Sequence, residues 1–161
     1  MSDADVLERL ARRLDRLESE QAIRETMVRY AQTLDYGDSA GWAACYTADG
    51  VFDVRRRGEP LFRHQGSAAL ATFADGHTSA PAVYHKHVLG LPSITLSPDG
   101  QAATASTYFM MLHESPAGPQ VLVFGRYLDA FARGDAGWQL SERIVDMEDV
   151  GTRAPAEGDT T

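Results

Sequence analysis

The period of the apolar pattern changes once along this 161-residue chain, near Gly50, and that switch limits the possible folds more than any other feature. Ahead of it, Val6, Leu7, Leu10, Leu14 and Leu17 recur at spacings of one, three and four, the mark of an amphipathic helix, with Ser2 and Asp3 offering N-cap chemistry. The acidic stretch Glu18 to Glu20 is expected to interrupt this helix. A second apolar stripe, Ala22, Ile23, Thr26, Met27, Tyr30, Ala31 and Leu34, then runs to the stop signal Asp35-Tyr36-Gly37-Asp38. Ser39 can cap a short third helix through Cys45, so three helices are expected before any strand. Nothing in the first of them carries catalytic chemistry, and a docking or dimer-contact arm is the reading it supports.

After Gly50 the pattern alternates. Val51 to Val54 and Leu61 to Arg63 flank the basic turn Arg55-Arg56-Arg57-Gly58 and read as a hairpin; the arginines are either a solvated loop or an anion contact. Gly66 to Asp75 reads as a helix that Ser67 could cap. The run Val83 to Leu96 is the next strand, and further strands are expected over Ala102 to His113, Gln120 to Arg133 and Trp138 to Glu148, separated by Pro/Gly/Asp turns. Strands joined by such short turns pair antiparallel. Helices first and then a long sheet with one inserted helix predict an α+β fold, a strongly curved antiparallel or mixed sheet wrapped around the N-terminal helices to form a cone-shaped cavity, an α+β barrel. A single domain over residues 1–150 is expected, followed by a small, polar, disordered tail over 151–161.

Composition narrows the function classes. A formal charge of −8 argues against nucleic acid and anionic membranes as partners, both of which demand basic patches. The hydrophobic content of 43% is enough for an ordinary core, and no run of about 18 apolar residues is present, so a cytoplasmic protein is expected. Cys45, the one cysteine, cannot form an intrachain disulfide, and there is no Cys/His cluster with zinc spacing.

Within the strand VYHKHVLGLPSITL, His85 and His87 stand two apart and so face one way. Either they are satisfied or solvent-facing histidines, or they move protons near neutral pH. The chain also resembles the SnoaL-like branch of the nuclear-transport-factor-2-like superfamily, up to about Val150. The matching pieces are AIRETMVRYAQTLDYGDSAGWAACYTADGVFDV, HVLGLPSITL, GRYLDAFAR and WQLSERIVDME, whose order and spacing together are specific.

The resemblance implies a site inside the cone and, for several members, cofactor-independent chemistry on small apolar molecules: dehydratases of polyketides and bile acids, a dehydrochlorinase, polyketide cyclases. In dehydratase-like members a strand His pairs with an Asp at the end of the second helix, and a Tyr five residues before that Asp faces the same cavity. Here those positions hold His87, Asp35 and Tyr30. Chemically the trio is coherent. Elimination or isomerisation beside a carbonyl needs a base for a C–H proton, an acid for the leaving group and a dry pocket, with no metal or organic cofactor. Asp35 would fix the tautomer of His87 and stabilise its imidazolium, while the Tyr30 hydroxyl would donate to a substrate or leaving-group oxygen.

Each assignment has a plainer rival. Asp35 also fits a helix C-terminal turn, and Tyr30 fits a core aromatic. His85 is a second polar group of the site by strand alternation, with a place at the cavity mouth as the alternative. Arg143 resembles an arginine that lines the pocket or anchors substrate in some relatives; a rim salt bridge is the alternative. Trp42 belongs to an aromatic inventory of which a minority would line a substrate pocket, and Tyr108 is the main polar group on its strand. The chain departs from many relatives in having Leu91 where they place Asn. The function expected is therefore a small-molecule lyase or isomerase, foremost a dehydratase of a steroid-like or polyketide-like substrate. The alternative is a non-catalytic ligand-binding or scaffold module of the same fold. A homodimer or homotrimer is expected in either case, using a sheet face with Val121, Val123 and Leu128.

Overall fold

The computed structural model of the chain describes residues 2–150, without the side chain of Val150. The elements run α1 (Asp3–Asp35), α2 (Ser39–Ala43), β1 (Tyr46–Arg56), β2 (Glu59–Gln65), α3 (Ser67–Asp75), β3 (His85–Leu89), β4 (Ser93–Leu96), β5 (Ala102–His113), β6 (Gln120–Gly134) and β7 (Gly137–Val150). The expected tail, 151–161, lies outside the described residues.

Two helices, not three, precede the sheet. The acidic stretch does not break α1, because Glu20 bonds both Arg16 and Arg24 at 3.2 Å, one turn to either side, and thereby supports the helix it was expected to interrupt. At the start of α1, Ser2 Oγ accepts from the Asp5 N–H while Asp5 accepts from the Ser2 N–H, a reciprocal capping box. At its end Gly37 takes φ +75°, the left-handed conformation that glycine adopts without strain. Only the C-terminal half packs into the body: Ile23, Met27, Tyr30, Ala31 and Leu34 are buried, whereas Leu7, Leu10, Leu14 and Leu17 are exposed. No helix among the described residues is long and apolar enough to cross a membrane.

The caps of the two short helices also differ from expectation. Asp38, not Ser39, caps α2 by accepting from the Gly41 N–H, and α3 starts at Gly66 without a side-chain cap. The hairpin turn lies at Arg57-Gly58, both with positive φ, as a tight two-residue turn requires. Two of the arginines find local acceptors: Arg55 bonds Asp53, and Arg57 Nε donates to the Glu148 carbonyl.

The sheet is curved, mixed and not closed. Its seven strands run β2-β1-β7-β6-β5-β3, with β4 also on β5. All pairings are antiparallel except β1 with β7, where the long chain excursion between them permits a parallel match. The single strand expected over Val83 to Leu96 is two strands, since Gly90-Leu91-Pro92 separates β3 from β4. Strand alternation sends Ala103, Ala105, Thr107 and Phe109 of β5 inward. Val123 of β6 is likewise buried, so it does not belong to the exposed sheet face expected of it, while Val121 is exposed. The core lies between this concave face and α1, α2 and α3, with Trp42, Phe52 and Phe73 in mutual ring contact at 4.8–5.5 Å.

Candidate active site

Asp35 is the last residue of α1, and β3 passes directly beside it. The Asp35 carbonyl accepts from the Ala80 N–H at 3.0 Å, which ties the incoming loop to the helix end just ahead of β3. The carboxylate then receives His87 twice: Oδ1 from ring Nδ1 at 2.6 Å and Oδ2 from the backbone N–H at 3.1 Å. Because Nδ1 must carry a proton to donate to a carboxylate, the lone pair of the neutral ring sits on Nε2. Asp35 thus holds His87 in the orientation and tautomer that a base requires.

His85 faces the same way, as strand alternation demands, and its Nε2 lies 3.3 Å from Asp35 Oδ1 without a hydrogen-bond partner. It is buried, at 4% exposure, and not at a cavity mouth. Burial penalises the charge on Asp35, but the hydrogen bonds and charge of His87, with the charge of His85, outweigh it and hold the carboxyl below its usual range. Burial pushes His85 down, against the opposing pull of Asp35. The site at rest therefore combines a carboxylate with a His85 ring that gains a proton less readily than a free imidazole.

A third histidine completes the cluster and has no precursor in the sequence pattern. His77 follows α3, with its ring centroid 5.1 Å from that of His85 and 6.2 Å from that of His87. Its Nδ1 donates to the Thr78 carbonyl at 2.8 Å, and burial lowers its pKa. An open cavity of about 700 Å³ is walled by His64, Ala69, Thr72, Phe73 and His77. Of the four clustered polar residues, His77 is the one in that wall. The signal for it was absent because a loop residue has no periodicity to read.

The remaining expected site residues lie elsewhere. Tyr30 is 1% exposed and its ring neighbours are Trp42, Tyr46 and Tyr127 at 5.4–6.2 Å. Burial raises its pKa, opposed by the nearby Arg143 and Trp42, so its hydroxyl keeps its proton. Trp42 is fully buried within the same aromatic group. Arg143 makes an ion pair, but at the centre of the core and not at a rim: it is fully buried, donates to Asp129 through Nε at 2.8 Å and Nη2 at 2.6 Å, and lies between the rings of Tyr30 and Tyr127, 4.1 Å from each. Asp129 is absent from the expected site residues, although it sits at the inward parity of Tyr127 and Phe131 on β6 and directly opposite Arg143 in the ladder. Tyr108 does not join any of these groups, for it is 74% exposed on the outer face of β5, opposite in parity to Thr107 and Phe109.

Chemically, the cluster offers one oriented imidazole, one carboxylate and two further imidazoles, packed behind an open cavity. That set can remove a proton from carbon and return it to a leaving group.

The SnoaL-like domain family matches residues 15–144. Two curated relatives, the beta 1 and beta 2 subunits of the terminal oxygenase component of terephthalate 1,2-dioxygenase from Comamonas, are 33% identical over 131 residues, covering 72% of this chain and 82% of theirs. Among solved structures, an NTF2-like protein with a cystatin-like fold from Novosphingobium aromaticivorans superposes with a TM-score of 0.78 at 28% identity, covering 91% of this chain and 92% of that one. ActVI-ORFA from Streptomyces coelicolor superposes with a TM-score of 0.65 at 25% identity, covering 79% of this chain and 95% of that one. The fold, the order of its elements and the extent of the family match agree, and the chain belongs to the SnoaL-like family.

Proposed function

We propose that the protein is a cofactor-independent lyase or isomerase, foremost a dehydratase of a hydrophobic steroid-like or polyketide-like molecule, with His87 as base and Asp35 as its orienting partner. The observation that carries this reading is the double contact of Asp35 on His87, through Nδ1 at 2.6 Å and the backbone N–H at 3.1 Å. Nε2 of His87 takes the proton from a carbon beside a carbonyl, the C–H electron pair becomes the new C=C bond, and the C–O bond of the leaving hydroxyl breaks as that oxygen accepts a proton. The donor is the imidazolium just formed, because Tyr30, the acid that the resemblance implied, is enclosed by Trp42, Tyr46 and Tyr127. The fixed carboxylate favours that imidazolium without proton transfer of its own. Substrate enters by the cavity at Phe73 and His77, and His85 contacts its polar end.

The test is a panel of β-hydroxy ketones and hydroxylated steroids assayed with wild type, His87→Ala and Asp35→Asn. General-base catalysis contributes about 10²–10⁴-fold, so kcat/KM should fall by at least about 10²-fold in His87→Ala. Turnover unchanged in both variants removes the pair from the mechanism. A second reading, a non-catalytic subunit that stabilises a larger enzyme, is favoured by the 33% identity to dioxygenase beta subunits. It predicts no turnover on the panel together with stable co-purification with another subunit of a terminal oxygenase component. Under either reading we propose a homodimer or homotrimer, measured by light scattering on a sizing column.

A further inference from the structure

Proton transfer by His87 does not account for where Nε2 of His85 points, which is at the Asp35 carboxylate. A buried imidazole nitrogen without a hydrogen-bond partner is destabilising, and such groups in folded proteins call for a ligand. His85 is 4% exposed, its Nε2 is unpartnered, and that nitrogen points at the Asp35 oxygen already used by His87. Nδ1 of His87, Nε2 of His85 and a carboxylate oxygen of Asp35 lie within 4.8 Å of one another.

Those separations suit a metal ion. Bonds of about 2.0–2.1 Å place adjacent ligand atoms roughly 2.9 Å apart in an octahedron and roughly 3.3 Å apart in a tetrahedron. The two contacts to Asp35 Oδ1, 2.6 Å from His87 and 3.3 Å from His85, span that range. Two imidazoles and one carboxylate match a borderline divalent transition ion; calcium and magnesium select oxygen instead. The ligands come from two rigid elements, the end of α1 and the strand β3, and His77 stands beside them, in the wall of the open cavity.

We propose that Asp35, His85 and His87 together bind one divalent transition-metal ion of the Zn²⁺ class, and that its binding switches the base off. The second half follows from the tautomer and rests on the acid–base reading given above; the first does not. An ion on Nδ1 of His87 takes the lone pair of that nitrogen, so the ring proton must sit on Nε2. The nitrogen that would accept a substrate proton is then a donor, and no electron pair is left on the ring for the reaction. Metal-loaded and catalytically competent protein are therefore alternative states of the same three side chains.

Chelator-treated protein titrated with Zn²⁺ by calorimetry should take up one equivalent, with affinity weakened at least tenfold in His85→Gln and in His87→Gln. No uptake by wild type, or wild-type affinity in either variant, overturns the proposal. Folding of the variants is checked by circular dichroism. Independently of the variants, the imidazole ring resonances of wild type should show His85 and His87 shifting together on addition of one equivalent of Zn²⁺; shifts confined to His64, His77 or His113 overturn it equally. Because these readouts register binding and not turnover, a failed dehydratase assay leaves them interpretable. Where turnover is found, its loss with one equivalent of Zn²⁺ and recovery with chelator completes the test, and turnover unaffected by a bound equivalent overturns the switch.

Discussion

Asp35 shows how much a single side chain does at the end of a helix. It terminates α1, fixes the loop before β3 through its carbonyl, and presents its carboxylate to two imidazoles. His87 and Asp35 were legible as a pair because family resemblance links positions far apart in sequence, which strand alternation alone cannot do. His85 was legible as a companion of His87 from alternation, but its burial was not, since that depends on what α1 and the loop after α3 place over it. Cys45 supplies the clearest single-residue prediction. It is fully buried, its Sγ contacts the Gly41 carbonyl at 3.4 Å, and burial pushes its thiol pKa up. The thiolate is the reactive form, so native protein should be silent to Ellman's reagent at mildly alkaline pH and react stoichiometrically once unfolded. Prompt reaction in the native state would mean that the packing around α2 opens.

Among the elements, α1 departs most from its sequence reading and carries the largest exposed apolar stripe. Its periodicity was plain, but its continuity depends on ion pairs that a run of acids conceals, Arg16 and Arg24 flanking Glu20 at 3.2 Å. The spans of β5, β6 and β7 were legible because long alternating runs bounded by turns have one reading. The split of β3 from β4 and the parallel match of β1 to β7 were not, because both depend on partners distant in sequence. Leu7, Leu10, Leu14 and Leu17 are 52–66% exposed and spaced as a two-heptad seam. Replacing Leu10 and Leu14 by Lys removes no intrachain core contact, so each should change stability at low protein concentration by no more than about 0.5 kcal/mol. If the arm assembles copies of the chain, as its exposure suggests, the solution mass of the double variant falls. A large loss of stability at unchanged mass would show instead that the seam packs within its own chain.

At the scale of the whole molecule, two buried charge groups divide the interior. One is the Asp35–histidine cluster at the junction of α1 with β3, beside the open cavity. The other, Arg143 with Asp129, joins β7 to β6 at the centre and is enclosed by Tyr30 and Tyr127. The central pair accounts for why Arg143, expected near substrate, is instead part of the core. Its guanidinium has two of its nitrogens on Asp129, while Nη1 has no partner among the described residues. Breaking such a pair leaves one uncompensated charge in a low-dielectric core, and the cost is about 3–5 kcal/mol. Arg143→Ala should therefore lose about that much in urea unfolding, whereas replacing both partners by apolar residues of similar size, Arg143→Met with Asp129→Leu, should recover most of the loss. A single variant costing under about 1 kcal/mol would show that water reaches the pair and that the interior is a ligand chamber. The expected result, a large single loss largely cancelled in the double variant, would establish the centre of the sheet as structural. It would leave the His87 end of the molecule as the place where chemistry is to be sought.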